Sequence, residues 1–269
     1  SSPPPFPHPV TDSPTVVSGP IPDRLIGAAL SQFGSARQDG VLEYGLADVT
    51  AADDNGLLGL VANARLTGHI ALAFDAGAML DALLVRASSE AVLLESRAVA
   101  AVALPRSEGI DTRVLKGIAV SHLDYHDPCL RQFGDIDLLV HGSDIGAAVA
   151  AFARLGYRRH FPEPFAGFDE HIGKGVAVGD DSRTVIDLHR TLALGYYGTR
   201  LPVGELWIGP DDFELGGETL SALIPPLRFV HCALHLALSP TRRIANGLDL
   251  VTIAHANPDL TASEIVTTA

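Results

Sequence analysis

Basic residues are scarce in this chain of 269: 19 Lys and Arg stand against 32 Asp and Glu, a formal net charge of −13. A surface this acidic repels phosphate backbones, which argues against an extended nucleic-acid footprint. Cysteine is rarer still. Cys129 and Cys232 are the only two, too few and too far apart for a zinc knuckle or a disulfide framework, so both are read as reduced and structural. No uninterrupted apolar run is long enough to cross a bilayer. Ser1 to Pro14 is rich in Pro and Ser and has neither the basic start nor the apolar centre of a secretion signal. These absences point to a cytoplasmic location and no membrane partner. What is present is 47% apolar residues, ample for a buried core in one large domain or two small ones.

Four stretches follow from composition and periodicity. Residues 1–20 read as a flexible, Pro-rich arm. Residues 21–105 read as helical: a short helix over Asp23 to Phe33, a segment capped by Asp53 or Asp54 ahead of Leu57, Leu58, Leu60 and Val61, and a long helix from Asp75 to Leu104. In that helix Leu80, Leu83, Leu84, Ala87, Ala91, Leu94 and Ala98 recur at three- and four-residue steps, a stripe for packing, and Pro105 is expected to end it. Residues 106–215 read as an α/β core. Its expected strands are Arg113 to Leu115, Phe133 to Val140, Tyr157 to Phe161, Lys174 to Val178 and Thr184 to His189. Helices are expected over Ile118 to Tyr125 and from a cap at Ser143 or Asp144 to Leu155, closed by Gly156. Asp180-Asp181-Ser182 supplies a turn. Residues 216–269 are expected to return to helix after Gly216-Gly217, with Pro225 at a helix start and a last helix over Arg242 to His255.

The chemistry concentrates in Arg131-Gln132-Phe133-Gly134-Asp135-Ile136-Asp137-Leu138-Leu139-Val140. Alternation along a strand puts Asp135 and Asp137 on one face and Ile136 and Leu138 on the other. Two like charges on neighbouring same-face positions repel, and burying either unpaired is costly. A divalent cation between them removes that cost, because hard Mg²⁺ is held by carboxylate oxygens together with substrate phosphates. In Thr184-Val185-Ile186-Asp187-Leu188-His189 the same alternation groups Asp187 with His189. A strand placed beside the Asp135 strand would complete an acidic trio able to hold metal for an in-line displacement. Lys116-Gly117 forms a strand-to-helix turn where a lysine can reach phosphate oxygens and a glycine lets backbone N–H groups approach them. Arg131 is open to pairing with Asp127 or Asp135 or to a nucleotide contact. His189 reads as a partner of Asp187 or a wall residue. His231 and His235 stand four apart among apolar neighbours, with no Glu after His231, so they read as core or pocket histidines.

Leu115-Lys116-Gly117, Arg131-x-x-Gly134-Asp135-Ile136-Asp137-Leu138-Leu139-Val140, Leu155-Gly156-Tyr157 and Ile186-Asp187-Leu188-His189 together resemble the "uncharacterised nucleotidyltransferase" family, of the DNA polymerase β-like nucleotidyltransferase superfamily. The resemblance continues through Phe229-Val230-His231-Cys232-Ala233-Leu234-His235 and the Arg243 to Leu250 stretch with Asp249, so it spans roughly residues 110 to 255. It implies an α+β fold, a polymerase β-like core of small mixed sheet and flanking helices between N- and C-terminal helical segments. It further implies transfer of an NMP from an NTP to an acceptor hydroxyl, with Mg²⁺ or alternatively Mn²⁺. Asp135 and Asp137 would ligate metal, and Asp187 would ligate it and orient or deprotonate the acceptor. Lys116, Gly117 and Arg131 would contact triphosphate oxygens, with Gly134, His189, His235 and Asp249 as further cofactor-binding candidates. The expected partners are the NTP and a small-molecule or peptide acceptor. Three rivals stay open: an inactive nucleotide- or partner-binding module, a tRNA-modifying nucleotidyltransferase toxin, and a metal-dependent hydrolase using the same carboxylates on water.

Overall fold

The computed structural model describes residues 65–68, 77–182, 184–238 and 244–268. The arm over 1–20, the helix expected over Asp23 to Phe33, the cap at Asp53 or Asp54, the Asp75 helix start and Arg243 lie outside them. The described elements are, in chain order, α1 (Gly77–Ser107), β1 (Arg113–Val114), α2 (Lys116–Leu123), β2 (Ile136–Leu139), α3 (Ile145–Arg154), β3 (Arg158–Arg159), α4 (Phe168–His171), β4 (Gly175–Gly179), β5 (Val185–His189), α5 (Gly195–Arg200), β6 (Asp211–Leu215), β7 (Glu218–Ala222), α6 (Pro225–Leu238), α7 (Ile244–Ala256) and α8 (Ala262–Thr268). Among the described residues no helix is long and apolar enough to cross a membrane.

The strands form one mixed sheet in the order β3-β4-β5-β2-β1-β7-β6. β2 runs parallel to β5 and antiparallel to β1, and β1 runs parallel to β7. Period-two patterning sorts the central strands between two faces. Ile136, Leu138 and Val140, with Ile186 and Leu188, pack against Ala91, Ala98, Ala101 and Val102 of α1 and Ala148 and Phe152 of α3. On the opposite face Leu139 joins a smaller cluster with Leu115, Leu192, Leu201, Leu206, Leu223 and Leu227. The apolar stripe of α1 is therefore a packing surface, and the second sheet face is left to polar groups at its centre.

The structure corrects several boundaries. α1 continues past Pro105 to Ser107. The helix closes instead at Gly109, whose φ of +78° suits the left-handed cap, and the Pro105 carbonyl accepts from the backbone N–H of Glu108 and Ile110. Neither Ser143 nor Asp144 caps α3 with its side chain; a 3₁₀ turn over Gly142–Asp144 leads into it. Gly216-Gly217 opens no helix. Both residues have positive φ, +61° and +84°, the signature of a type I′ hairpin turn. They join β6 to β7, and β7 enters the sheet beside β1 through Val114 and Ala222. A division at 215/216 thus cuts a hairpin, and the helical C-terminal part begins at Pro225.

A buried ion pair ties that part to the sheet. Arg131 Nε donates to Asp249 Oδ1 at 2.6 Å and Nη2 to Oδ2 at 2.8 Å, while Tyr125 Oη donates to Asp249 Oδ1 at 3.0 Å. Arg131 also donates to the Gln132 carbonyl. A second bidentate pair, Arg228 with Asp124, links α6 to the end of α2 at 2.8 and 2.9 Å. At the start of α2, the place a Cβ on Gly117 would occupy is 2.5 Å from Phe133 Cβ, so only glycine fits.

Two stability outcomes follow. Arg131→Met should cost about 3–5 kcal/mol, because it strands Asp249 as a buried charge, and adding Asp249→Leu should recover part of the loss. Chemical denaturation of the three proteins reads this. Gly117→Ala should cost about 1–3 kcal/mol through overpacking. Phe133→Leu should not restore it, since the clash is with the Cβ that leucine keeps; thermal melts of the single and double variants check it.

Candidate active site

Asp137 and Asp187 are aligned across the parallel β2–β5 pair, Cα against Cα, with Leu139 aligned to His189 two residues further on. All four side chains therefore emerge on the face opposite the α1–α3 core. Ligand-capable atoms of Asp137, Asp187 and His189 lie within 4.8 Å of one another. Asp135, half-buried at the approach to β2, stands outside that tight group. Its charge is still felt by Asp187 and Lys116.

Asp137 is 4% exposed, and one of its oxygens is held from two sides. Lys116 Nζ donates to Oδ1 at 2.6 Å, and His189 Nε2 lies 2.7 Å from the same atom. Burial pushes this carboxyl up, but the Lys116 charge and the His189 hydrogen bond outweigh it and hold the carboxyl well below its ordinary range. An ionised carboxylate only accepts, so the imidazole donates from Nε2. His189 itself is lowered to about 4 by burial and then by the charges of Lys116 and Lys174. It is a neutral ring whose buried Nδ1 has no hydrogen-bond partner among the described residues.

Asp187 behaves oppositely. Burial first, then the Asp137 and Asp135 charges, raise its carboxyl above the usual value, with Lys116 and Lys174 pulling the other way. Two adjacent carboxylates are thus driven apart, one fixed as an anion and one more basic, which is the pattern that assigns acid–base roles in active sites.

Lys116 reaches Asp137 from a strained turn. Its φ of +45° puts a non-glycine residue in the left-handed region, at a cost of about 1–3 kcal/mol that the surroundings must impose. They do so through the Leu115 N–H, which donates to the Asp137 carbonyl at 2.9 Å, and through the Nζ–Oδ1 bond. Lys116 is therefore committed to a carboxylate. Gly117 owes its identity to the Phe133 contact described above, and Gly134 is exposed one residue before Asp135.

Arg131 and Asp249 correct the sequence expectation. They are 5% and 3% exposed and satisfy each other. The guanidinium therefore pairs with Asp249 and not with Asp127 or Asp135. Both anchor the loop that carries Asp135. His231 and His235 line the site from α6. His231 is buried, its ring centroid 6.2 Å from that of His189, and its Nε2 has no partner among the described residues. His235 is half-buried and lowered to about 4, by burial first and the Lys116 charge next.

Sequence reasoning missed Lys174. This half-buried residue precedes β4, which pairs with β5 through Gly175 and His189. Its charge acts on Lys116, Asp137, Asp187 and Asp135. The available signal was its match to Lys116: in each case a lysine followed by glycine at a strand end. Beside it, Gly175 and Ala177 are the register partners of His189 and Asp187, so the floor next to the carboxylates carries almost no side chain.

The donor set suits a hard divalent cation: carboxylate oxygens dominate, and a neutral imidazole adds one nitrogen that Mn²⁺ tolerates as well.

No curated protein matches this chain. Among solved structures, the antibiotic-resistance factor ANT(2″)-Ia, in solution, is 14% identical over 67% of this chain and 89% of its own, with a TM-score of 0.44. An antigenic nucleotidyltransferase-like protein from Paracoccidioides brasiliensis is 16% identical over 68% of this chain and 86% of that one, with a TM-score of 0.41. The lincosamide antibiotic adenylyltransferase LnuA, bound to lincomycin, is 11% identical over 56% and 90%, with a TM-score of 0.39. The profile of a family described as uncharacterised nucleotidyltransferase matches residues 49–269, most of the chain and all of the site. The chain belongs to the uncharacterised nucleotidyltransferase family.

Proposed function

We propose that this enzyme uses Mg²⁺, or Mn²⁺ in its place, to transfer an NMP from an NTP to a hydroxyl of a small-molecule or peptide acceptor. The observation that carries the reading is the in-register pairing of Asp137 with Asp187 on adjacent parallel strands. A divalent cation there supplies positive charge to the phosphoryl oxygens. Asp137 and Asp187 would hold it, with Asp135 completing the acidic set and His189 fixing the Asp137 carboxylate.

The chain's own groups then divide the work. Asp187, the more basic carboxylate, orients the acceptor hydroxyl and takes its proton. The hydroxyl oxygen forms a bond to the α-phosphorus, the bond from that phosphorus to the bridging oxygen breaks, and the electron pair leaves on pyrophosphate. Lys116 and His189 keep Asp137 charged and oriented throughout. The net charge of −13 favours a small or peptide acceptor over RNA or DNA.

Asp135→Asn, Asp137→Asn and Asp187→Asn should each lower turnover on the order of 10²–10⁴-fold. Pyrophosphate release reads this, with circular dichroism confirming the fold. The acceptor is found by incubating the protein with labelled NTPs and Mg²⁺ or Mn²⁺ in fractionated cell extract and weighing whatever gains a nucleotide. Transfer to no fraction would count against the proposal, and free NMP released without an acceptor would make the enzyme a hydrolase.

A further inference from the structure

The chain's 19 Lys and Arg residues include only two lysines, Lys116 and Lys174, leaving 17 arginines. Lys116 opens α2 and bonds Asp137, while Lys174 immediately precedes β4, whose Gly175 and Ala177 are the register partners of His189 and Asp187, and both ammonium groups sense the same three carboxylates. The buried ion pairs away from this site, Arg131 with Asp249 and Arg228 with Asp124, use guanidinium forks. Planar, bidentate pairing suits arginine, whereas lysine offers a compact point charge with three donors that can follow a moving group.

The two lysines are not equivalent. Lys116 is bonded to Asp137 Oδ1 at 2.6 Å. Among the described residues Lys174 is held by its backbone alone: its carbonyl accepts from the N–H of Arg190 at 2.7 Å and of Thr191 at 3.3 Å, where the chain leaves β5. No carboxylate among the described residues is within ion-pair distance of its ammonium, which still senses Asp137, Asp187 and Asp135. It is half-buried at the end of the bare Gly175–Ala177 floor.

We infer that Lys174 is the triphosphate-binding cation of this site, holding the β- and γ-phosphoryl oxygens that depart as pyrophosphate. The inference rests on the nucleotidyl-transfer reading and assigns the phosphate role expected of Lys116 to the second lysine. Burial and the Lys116 charge both press on the Lys174 ammonium, and a polyanion between the two lysines relieves that repulsion. Lysine is a common phosphate ligand for the same reason, as a mobile point charge.

The test is equilibrium binding of each of the four MgNTPs and the matching MgNMPs to the full chain, by calorimetry. The variants are Lys174→Met, Lys174→Gln and Lys174→Arg. For whichever NTP the wild type binds, both neutral variants should lose on the order of 10- to 100-fold in affinity. NMP affinity should be unchanged, and Lys174→Arg should regain most of the NTP loss. Unchanged NTP binding in the neutral variants, or equal loss of NTP and NMP, would overturn the assignment of Lys174 while the nucleotidyl-transfer reading stands. A wild type that binds none of the four MgNTPs would bring down both.

Discussion

Asp137 and Asp187 stand opposite one another on neighbouring parallel strands, where two carboxylates repel and one of them is almost fully buried. Stability alone would place apolar residues at both positions, as it does one step away at Leu138 and Leu188. The fold tolerates the pair because it surrounds it with compensating groups. Lys116 and His189 converge on one oxygen of Asp137, and the left-handed turn at Lys116 is the backbone cost of bringing that ammonium there. Strain, buried charge and divergent carboxyl basicity therefore have one origin.

The rest of the molecule closes the opposite face of the sheet and frames this one. α1 and α3 bury the apolar side of β2 and β5, while on the polar side Leu139 packs with Leu227 of α6. α6 borders that side, bringing His231 and His235, and is locked in place by Arg228 on Asp124. α7 is held by Asp249 on Arg131. Because Arg131 begins the loop that leads to Asp135, the C-terminal helices are mechanically tied to the site.

Much of this was legible in the sequence, and the failures have physical causes. Alternation in Asp135 to Leu139 and in Val185 to His189 is local, so the strands and the faces of their carboxylates could be read directly. Membership of the same sheet face followed from the family resemblance, not from periodicity. Arg131 was misread because its near neighbours Asp127 and Asp135 are acidic, whereas its partner lies 118 residues downstream, a pairing only tertiary structure sets. Gly216-Gly217 was misread because a glycine pair marks a turn without saying what it joins. The polar–apolar alternation of Asp212-Phe213-Glu214-Leu215 before it was the overlooked strand signal. Lys174 stayed hidden because a lone lysine at a strand end looks solvated until sheet order sets β4 beside β5.

On the proposed reading, the site's charges nearly balance in steps. Asp135, Asp137 and Asp187 carry three formal negative charges, Lys116 and Lys174 two positive ones, and burial keeps His189, His231 and His235 neutral. One excess negative charge is enough to favour a divalent cation, and the bound cation leaves one excess positive charge for a polyphosphate. Were Lys174 paired to Asp187 as Lys116 is to Asp137, the carboxylate would lose its basicity and the ammonium its reach. An ammonium with no ion-pair partner among the described residues keeps Asp187 able to take a proton while keeping a positive charge available to the leaving group, so the two functions depend on the same spacing between Lys174 and the carboxylates.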